Sequence, residues 1–325
     1  MSDADREIRA LVALGRGDLP KPGRGATLSR WQALARVASQ DLALAKLYEG
    51  HTDALAIIAE LDGLDVLDVL GGPGPGAGEL WGVWAAEPPD GRLGLRRERG
   101  RVLLSGRKAW CSGAGVVTHA LVTAWDAHGR QCLLAVPMTA AGITVTDQGW
   151  HAVGMGTVSS PDVLFDDVEA TMVGVAGSYT ERPGFWHGGC GIAACWYGGT
   201  TPLARALAEK ARGGDDPHLH AHLGVVDVAL RSLRALLIEA ACWIDEHPRD
   251  SARTLALRVR AAADETASLV HRHAGRGLGA GPLCRDPAVA RRFADLPVFI
   301  RQTHAERDLA ELGRSVAAAG DDWRL

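Results

Sequence analysis

The chain has 325 residues, 47% hydrophobic and 23% charged, the balance of an ordinary globular protein, which excludes a disordered tail and a fibrous repeat. Lys plus Arg number 35 against 39 Asp plus Glu, so a net charge of -4 gives no push toward nucleic acid or an anionic membrane. No apolar run reaches the ~18 to 20 residues of a bilayer span, and charges stand at the start where a signal core would be apolar; the expectation is a cytoplasmic protein whose six cysteines, none in a CxxC pair, are free thiols, several of them buried.

Periodicity then divides the chain into three zones. From Asp5 to Asp68 apolar residues recur at helical spacing, with Leu42, Ala45, Leu47 and Tyr48 leading into Leu55, Ile57, Ile58 and Leu61. Gly63 and the run Gly71 to Gly78 end that pattern. Gly74-Pro75-Gly76-Ala77-Gly78 mimics a dinucleotide loop, but prolines interrupt it and no strand precedes it, so it reads as a linker.

From Glu79 to Gly177 the segments are short and alternate: Leu93 to Arg97, Arg101 to Leu104, Ala120 to Ala124, Gln131 to Val136, Ile143 to Thr146 and Val163 to Phe165. Asp126 to Arg130 reads as a hairpin loop. Successive strands without intervening helices predict an antiparallel barrel or sandwich and not a Rossmann sheet.

From Phe185 onward the pattern is helical again. Ile192 to Ala211 and Leu223 to Ile244 are two helices; a third is capped by Ser251 and runs to Gly275; a fourth spans Pro287 to Val316 with a kink at Pro297. Four helices of this length suit an antiparallel bundle. The reading is an α+β protein with an N-terminal helical domain (residues 1–78), a middle antiparallel β-barrel (79–177) and a C-terminal four-helix bundle (178–325).

Three strings in that order carry a family resemblance. Leu104-Ser105-Gly106-Arg107-Lys108-Ala109-Trp110-Cys111-Ser112-Gly113-Ala114, the stretch Gly154 to Val168, and Glu79 to Pro88 together resemble the acyl-CoA dehydrogenase flavoproteins. The resemblance implies a flavin, FAD or FMN, held by Trp110, Cys111 and Ser112 with help from Trp84, Ala85 and Ala86. Trp110 would lay an indole face on the ring system, and the Ser112 hydroxyl would meet its polar edge. It also implies that Arg272 and Gly275 approach the flavin diphosphate, that Trp186 and His187 line a substrate pocket, and that the chain forms a homodimer or homotetramer. The implied activity is hydride transfer from a substrate CH-CH unit, an acyl thioester among the candidates, to flavin N5.

The chain departs from the pattern at several points. The family's Thr falls on Ala86, and Pro89-Asp90-Gly91-Arg92 replaces the loop that meets the thioester. By spacing, Gln302 or Thr303 takes the place of the catalytic Glu, and Glu306 stands about one helical turn late. A dehydrogenase needs a carboxylate there to take a weakly acidic proton. Pro282 to Asp286 followed by a His-bearing helix, together with Leu47-Tyr48-Glu49-Gly50-His51, is similar to flavin monooxygenases of the same fold, which makes His51 and His304 alternative active-site residues. A relative retained only as a scaffold is the remaining reading. His218, His220 and His222 have no companion ligand at metal spacing, so no metal is expected. Asp264 and Glu265 read as a solvated helix face.

Overall fold

The computed structural model describes residues 2–61, 78–88, 92–320 and 323. The glycine-rich linker reading at 71–77, the helical pattern from 62 to 68 and positions 89–91 of the altered loop lie outside them. In chain order the elements are α1 (Asp3–Ala13), α2 (Thr27–Gln40), α3 (Leu42–Leu61), β1 (Trp81–Trp84), β2 (Leu93–Glu98), β3 (Arg101–Lys108), β4 (His119–Trp125), β5 (Gln131–Pro137), β6 (Ile143–Val145), β7 (Val163–Val173), α4 (Ser178–Glu181), α5 (Pro183–Arg212), α6 (Pro217–Glu246), α7 (Arg253–Leu278), α8 (Ala280–Arg285), α9 (Pro287–Phe299) and α10 (Glu306–Ala319). They fall into two compact units. One comprises Met1–Leu19, Ala43–Ala152 and Gly156–Phe185; the other comprises Pro20–Leu42, Val153–Met155 and Trp186–Leu325. Among the described residues no helix is long and apolar enough to cross a membrane.

The first unit is built on a closed strand ring. β4 pairs with β2 on one edge and β5 on the other, and β2–β3, β3–β7 and β7–β5 complete the circuit; β1 and β6 attach to β4 and β7. The ring differs from the expected antiparallel barrel at one edge, because β1 and β2 both run parallel to β4. The register explains this. Trp84 lies beside Val122 and Gly94 beside Trp125, so β1 and β2 follow one another along the same edge of β4 in the same direction. The predicted hairpin at Asp126–Arg130 does join β4 to β5, with the Asp126 carboxylate accepting from the amides of His128 and Arg130. β3 carries a bulge between Leu104 and Gly106, and Gly106 sits at φ +125, where a side chain would press on the Arg92 carbonyl.

β4 and β5 are buried nearly throughout, not alternately. The cause is α3, whose Ala54, Leu55, Ile57 and Ile58 pack on Leu121, Leu133 and Ala135 outside the ring while Ala120, Val122 and Leu134 point inward. Each Leu or Ile so buried stabilises by roughly 1.5 to 3 kcal/mol.

The second unit is helical. Its long helix α5 starts nine residues before the predicted Ile192 and carries glycines at its contacts with α2. A Cβ on Gly198 would overlap the Ala35 carbonyl, and one on Gly191 would touch Leu34 and Trp31. These glycines let α2 lie against α5. Pro202 removes the hydrogen bond to the Gly198 carbonyl, and the Thr201 hydroxyl donates to it instead at 2.9 Å. α2 is held at both ends. Asp245 accepts from the Gly25 amide and from the Thr27 amide and hydroxyl at 2.6 to 3.0 Å. Arg292 donates to the carbonyls of Ala38, Ser39 and Gln40.

Two predicted helix ends move. α7 runs past Gly275 to Leu278 and stops at Gly279, where φ is +69. The single helix expected from Pro287 to Val316 is two helices, and the break is not at Pro297. The Phe293 carbonyl that Pro297 leaves without its helix partner lies 3.0 Å from His271 Nε2, which donates to it. α9 therefore continues to Phe299, and the chain turns at 300–305, with Ala305 at φ +46 before α10.

Candidate functional site

In the first unit, the exit of β1 and the turn after β3 converge. The Trp84 indole is buried and its Nε1 donates to the Ser112 carbonyl at 3.1 Å. Trp110 has φ +56 and its ring is 50% exposed, so a large apolar side chain is held outward at the end of β3 by backbone that such residues rarely adopt. The flanking turn is sewn to the segment before β7. Cys111 and Gly113 amides donate to the Pro161 and Ser159 carbonyls at 3.0 Å, and the Ser112 and Ser160 hydroxyls are hydrogen-bonded to each other at 2.9 Å. The Cys111 thiol is wholly buried, and burial pushes its pKa far up, so it stays protonated.

Behind this turn lies a buried ion pair. Lys108 Nζ, 0% exposed, donates to Glu87 Oε1 at 2.7 Å and to the Thr123 hydroxyl and carbonyl at 2.7 and 3.0 Å. Glu87 also accepts from Thr123 Oγ1 and Trp125 Nε1, and the Arg92 guanidinium sits 3.8 Å above the Trp125 ring. Burial by itself would raise the Glu87 carboxyl; the hydrogen bonds from Lys108, Thr123 and Trp125 with the ammonium charge outweigh it and hold the carboxyl below its usual range. Burial lowers Lys108, and Glu87 opposes that in part. The pair fixes the segment that carries Ala85 and Ala86, both half-buried.

On the α3 side, His51 is 3% exposed and its Nδ1 accepts from the Trp81 amide at 3.2 Å. The Trp81 ring stacks on His119 at 4.8 Å, and burial depresses the His119 imidazole while Glu79 opposes. Next to this stack is a small cleft lined by Lys46, Leu47 and Gly50 of α3, Trp81, Gly82 and Val83 of β1, and Ser112 and Val117.

In the second unit, Trp186 lies under the Arg253 guanidinium at 5.6 Å and His187 is buried. Arg260 donates to the Gln302 carbonyl at 2.7 Å and lies 5.1 Å from the centre of the Trp196 ring. Gln302 Oε1 is buried with no hydrogen-bond partner among the described residues, and Thr303 is buried. Glu306 is exposed at the start of α10, while His304, also exposed, pairs with Asp308 at 3.3 Å. Asp264 is not on a solvated face: it pairs with Arg301, and burial raises its carboxyl although Arg301 opposes.

No protein-family model matches the chain. The amino sugar nitrososynthase DnmZ of Streptomyces peucetius is 31% identical over 200 residues, which cover 57% of this chain and 49% of the relative, so the chain spans about half that relative's length. Among solved structures, methanesulfinate monooxygenase MsuC from Pseudomonas fluorescens is similar at TM-score 0.81 and 19% identity, over 97% of this chain and 89% of that one. KijD3 in complex with FMN and dTDP-3-amino-2,3,6-trideoxy-4-keto-3-methyl-D-glucose is similar at TM-score 0.80 and 20% identity, over 98% and 87%. Butyryl-CoA dehydrogenase from Megasphaera elsdenii is similar at 0.78 and 16% identity, over 98% and 99%. The chain has the acyl-CoA dehydrogenase fold.

On this acyl-CoA dehydrogenase fold the residues singled out from sequence form two sets. Trp84, Ala85, Ala86, Trp110, Cys111, Ser112 and His51 belong to the first unit; Trp186, His187, Arg272, Gly275, His304 and Glu306 belong to the second. Trp84 and Ser112 are brought into direct contact. Arg272 is exposed on α7, and Gly275 lies inside that helix with Phe293 near the position a Cβ would take. His222 meets His273 at 3.0 Å between ring nitrogens, and the described residues hold no cluster of three metal-ligating side chains. Sequence reasoning missed the Lys108–Glu87 pair, whose partners lie 21 residues apart.

Proposed function

We propose that the protein binds FMN or FAD against Trp110 and acts as a flavin-dependent monooxygenase on a heteroatom of a small polar substrate. The residues at the end of β3 fit a flavin: a half-exposed indole supplies a stacking face, and the Ser112–Ser160 hydroxyl pair supplies both a donor and an acceptor beside it. Reduced flavin, when bound, supplies two electrons to dioxygen. One oxygen atom then enters the substrate and the other leaves as water. An amine nitrogen of an amino sugar is the first class to try, since DnmZ is an amino sugar nitrososynthase and KijD3 binds a dTDP-linked amino sugar.

The observation that carries this reading over carboxylate-dependent dehydrogenation is the chemistry at 302–306. The position that should bear the base holds a buried amide, Gln302, followed by Thr303, and Glu306 is exposed at the start of α10. His304, exposed and paired with Asp308, is the proton-handling residue in this reading. His51 serves β1, because its Nδ1 is taken by the Trp81 amide.

The test is a titration with FMN and with FAD, read by flavin fluorescence, followed by oxygen uptake with reduced flavin. Saturable binding that Trp110→Ala weakens about tenfold, and uptake that rises with a nucleotide-linked amino sugar, support the proposal. Binding of neither flavin refutes it. Anaerobic bleaching by an acyl-CoA panel with no amine-dependent uptake refutes the monooxygenase assignment and restores the dehydrogenase, with Glu306→Gln as the check on its base.

A further inference from the structure

We infer that Arg260 and Asp264 of α7 are positioning residues for His304, an inference that rests on His304 being the proton-handling residue of the proposed oxygenase. The two side chains stand four residues apart, so they share one face of the helix. They grip successive residues of the turn before α10. Arg260 Nη2 donates to the Gln302 carbonyl at 2.7 Å, and the Asp264 carboxylate pairs with the Arg301 guanidinium. Arg260 is itself fixed from behind. Its head lies 5.1 Å from the centre of the wholly buried Trp196 ring, and its Nη1 donates to the Gly189 carbonyl at 3.4 Å. On the far side of the turn Asp308 is the second anchor. Its carboxylate accepts from the His304 amide at 3.1 Å and the Thr303 hydroxyl at 3.4 Å, and it pairs with His304 Nδ1 at 3.3 Å. His304 therefore sits between a grip from α7 and a grip from α10.

Ala305 shows why the turn needs both. Its φ of +46 and ψ of -113 are the backbone of the first central residue of a type II′ turn, which glycine adopts freely and alanine does not. A residue in such a conformation stays there only while its surroundings over-determine it. The Thr303 hydroxyl accepts from the Ala305 amide at 3.2 Å, and the contacts to Arg301 and Gln302 hold the chain just upstream. Released from α7, the turn relaxes toward ordinary backbone and His304 moves with it. The grip has one titratable part. Asp264 faces Arg301 from the turn, Glu306 from α10 and Glu265 beside it on α7. Burial raises its carboxyl, Glu265 and Glu306 add to that, and Arg301 opposes. The charged form holds Arg301, so the grip is complete above the folded-state value and weakens as pH falls through it.

Two substitutions probe this. Asp264→Asn keeps the shape and loses the charge, and Ala305→Gly accepts the backbone of the turn without strain. The first measurement needs neither flavin nor activity. Tryptic cleavage after Arg301 and Arg307 at neutral pH should quicken several-fold in Asp264→Asn and return toward the original rate when Ala305→Gly is added, because the glycine removes the strain that drives release. The second is amine-dependent oxygen uptake across pH. At neutral pH kcat of Asp264→Asn should fall about tenfold, with KM and flavin affinity within about twofold, and the double variant should regain most of it. The unsubstituted protein should lose activity on the acid side along a limb that Asp264→Asn lacks. Ala305→Gly alone should raise the melting temperature by roughly 2 to 4 °C, which tests the strain even where Asp264→Asn does not fold. Unchanged cleavage, a lowered kcat that keeps its acid limb and is not restored by the glycine, or a fall in the melting temperature of Ala305→Gly overturns the inference while leaving the flavin reading intact. Absence of flavin binding in the unsubstituted protein overturns both.

Discussion

Replacing Glu87 by Gln removes one charge from the first unit with almost no change of shape. With its amide oxygen in the place of Oε1, Gln still accepts from Lys108 and Thr123, but its NH2 then faces Trp125 Nε1, and Lys108, whose side chain is 0% exposed while that of Glu87 is 24% exposed, loses its counter-charge. Removing one partner of a buried pair typically costs about 3 to 5 kcal/mol. Because Lys108 keeps the Thr123 hydroxyl and carbonyl at 2.7 and 3.0 Å, the low end applies, about 3 kcal/mol. That corresponds to a fall in melting temperature of roughly 6 to 12 °C for a unit of this size. The pH dependence has a definite sign. Burial already lowers the Lys108 pKa and Glu87 opposes it, so the variant lowers it further. The unfolded chain then holds the lysine proton over a window below 10.5 in which the folded chain does not, and stability of the variant rises with pH across that window. Urea unfolding followed by tryptophan fluorescence at neutral and alkaline pH measures both effects, and Lys108→Met combined with Glu87→Gln should recover most of the loss. A cost under about 1 kcal/mol, or a double variant no better than Glu87→Gln alone, would refute the argument that the pair is a matched, buried unit.

Three further outcomes are expected. Asp245→Ala leaves the Gly25 and Thr27 donors without their acceptor and should cost about 2 to 3 kcal/mol by chemical denaturation, with Asp245→Asn recovering part of it. Gly198→Ala should destabilise by about 1 to 3 kcal/mol despite alanine's better helix propensity, because its methyl group meets the Ala35 carbonyl; a stabilised variant would show that α2 and α5 do not approach so closely. His273 is depressed below 6.5 by burial first, then by His222, Arg272 and Arg276, so its contribution to stability is intact above 6.5 and is lost as pH falls through the folded-state value. An NMR titration of His273 that gives an undisplaced imidazole, or one that moves upward, contradicts the burial and the cationic surroundings that depress it.

What the sequence disclosed follows from how local each signal is. The change from helical to strand periodicity at Glu79, the Asp126–Arg130 hairpin and the helical stretch after Phe185 all rest on neighbours within a few residues, and the elements appear there. The parallel entry of β1 and β2 onto β4 depends on pairing across some 30 to 40 residues, and no alternation pattern encodes strand direction. Glycine misled the reading for a different reason. The helix expected to stop at Gly275 runs on through Gly277, where a Cβ would strike Leu207, yet a sequence shows such contact glycines and helix-ending ones as the same letter.

The candidate site divides in the same way. Trp110 was singled out because the string Leu104 to Ala114 resembles the flavoprotein family, and the structure shows it half-exposed in the turn after β3. The Glu87 that accompanies Lys108 was not, since an acid followed by two prolines looks like surface until Thr123 and Trp125 are folded onto it.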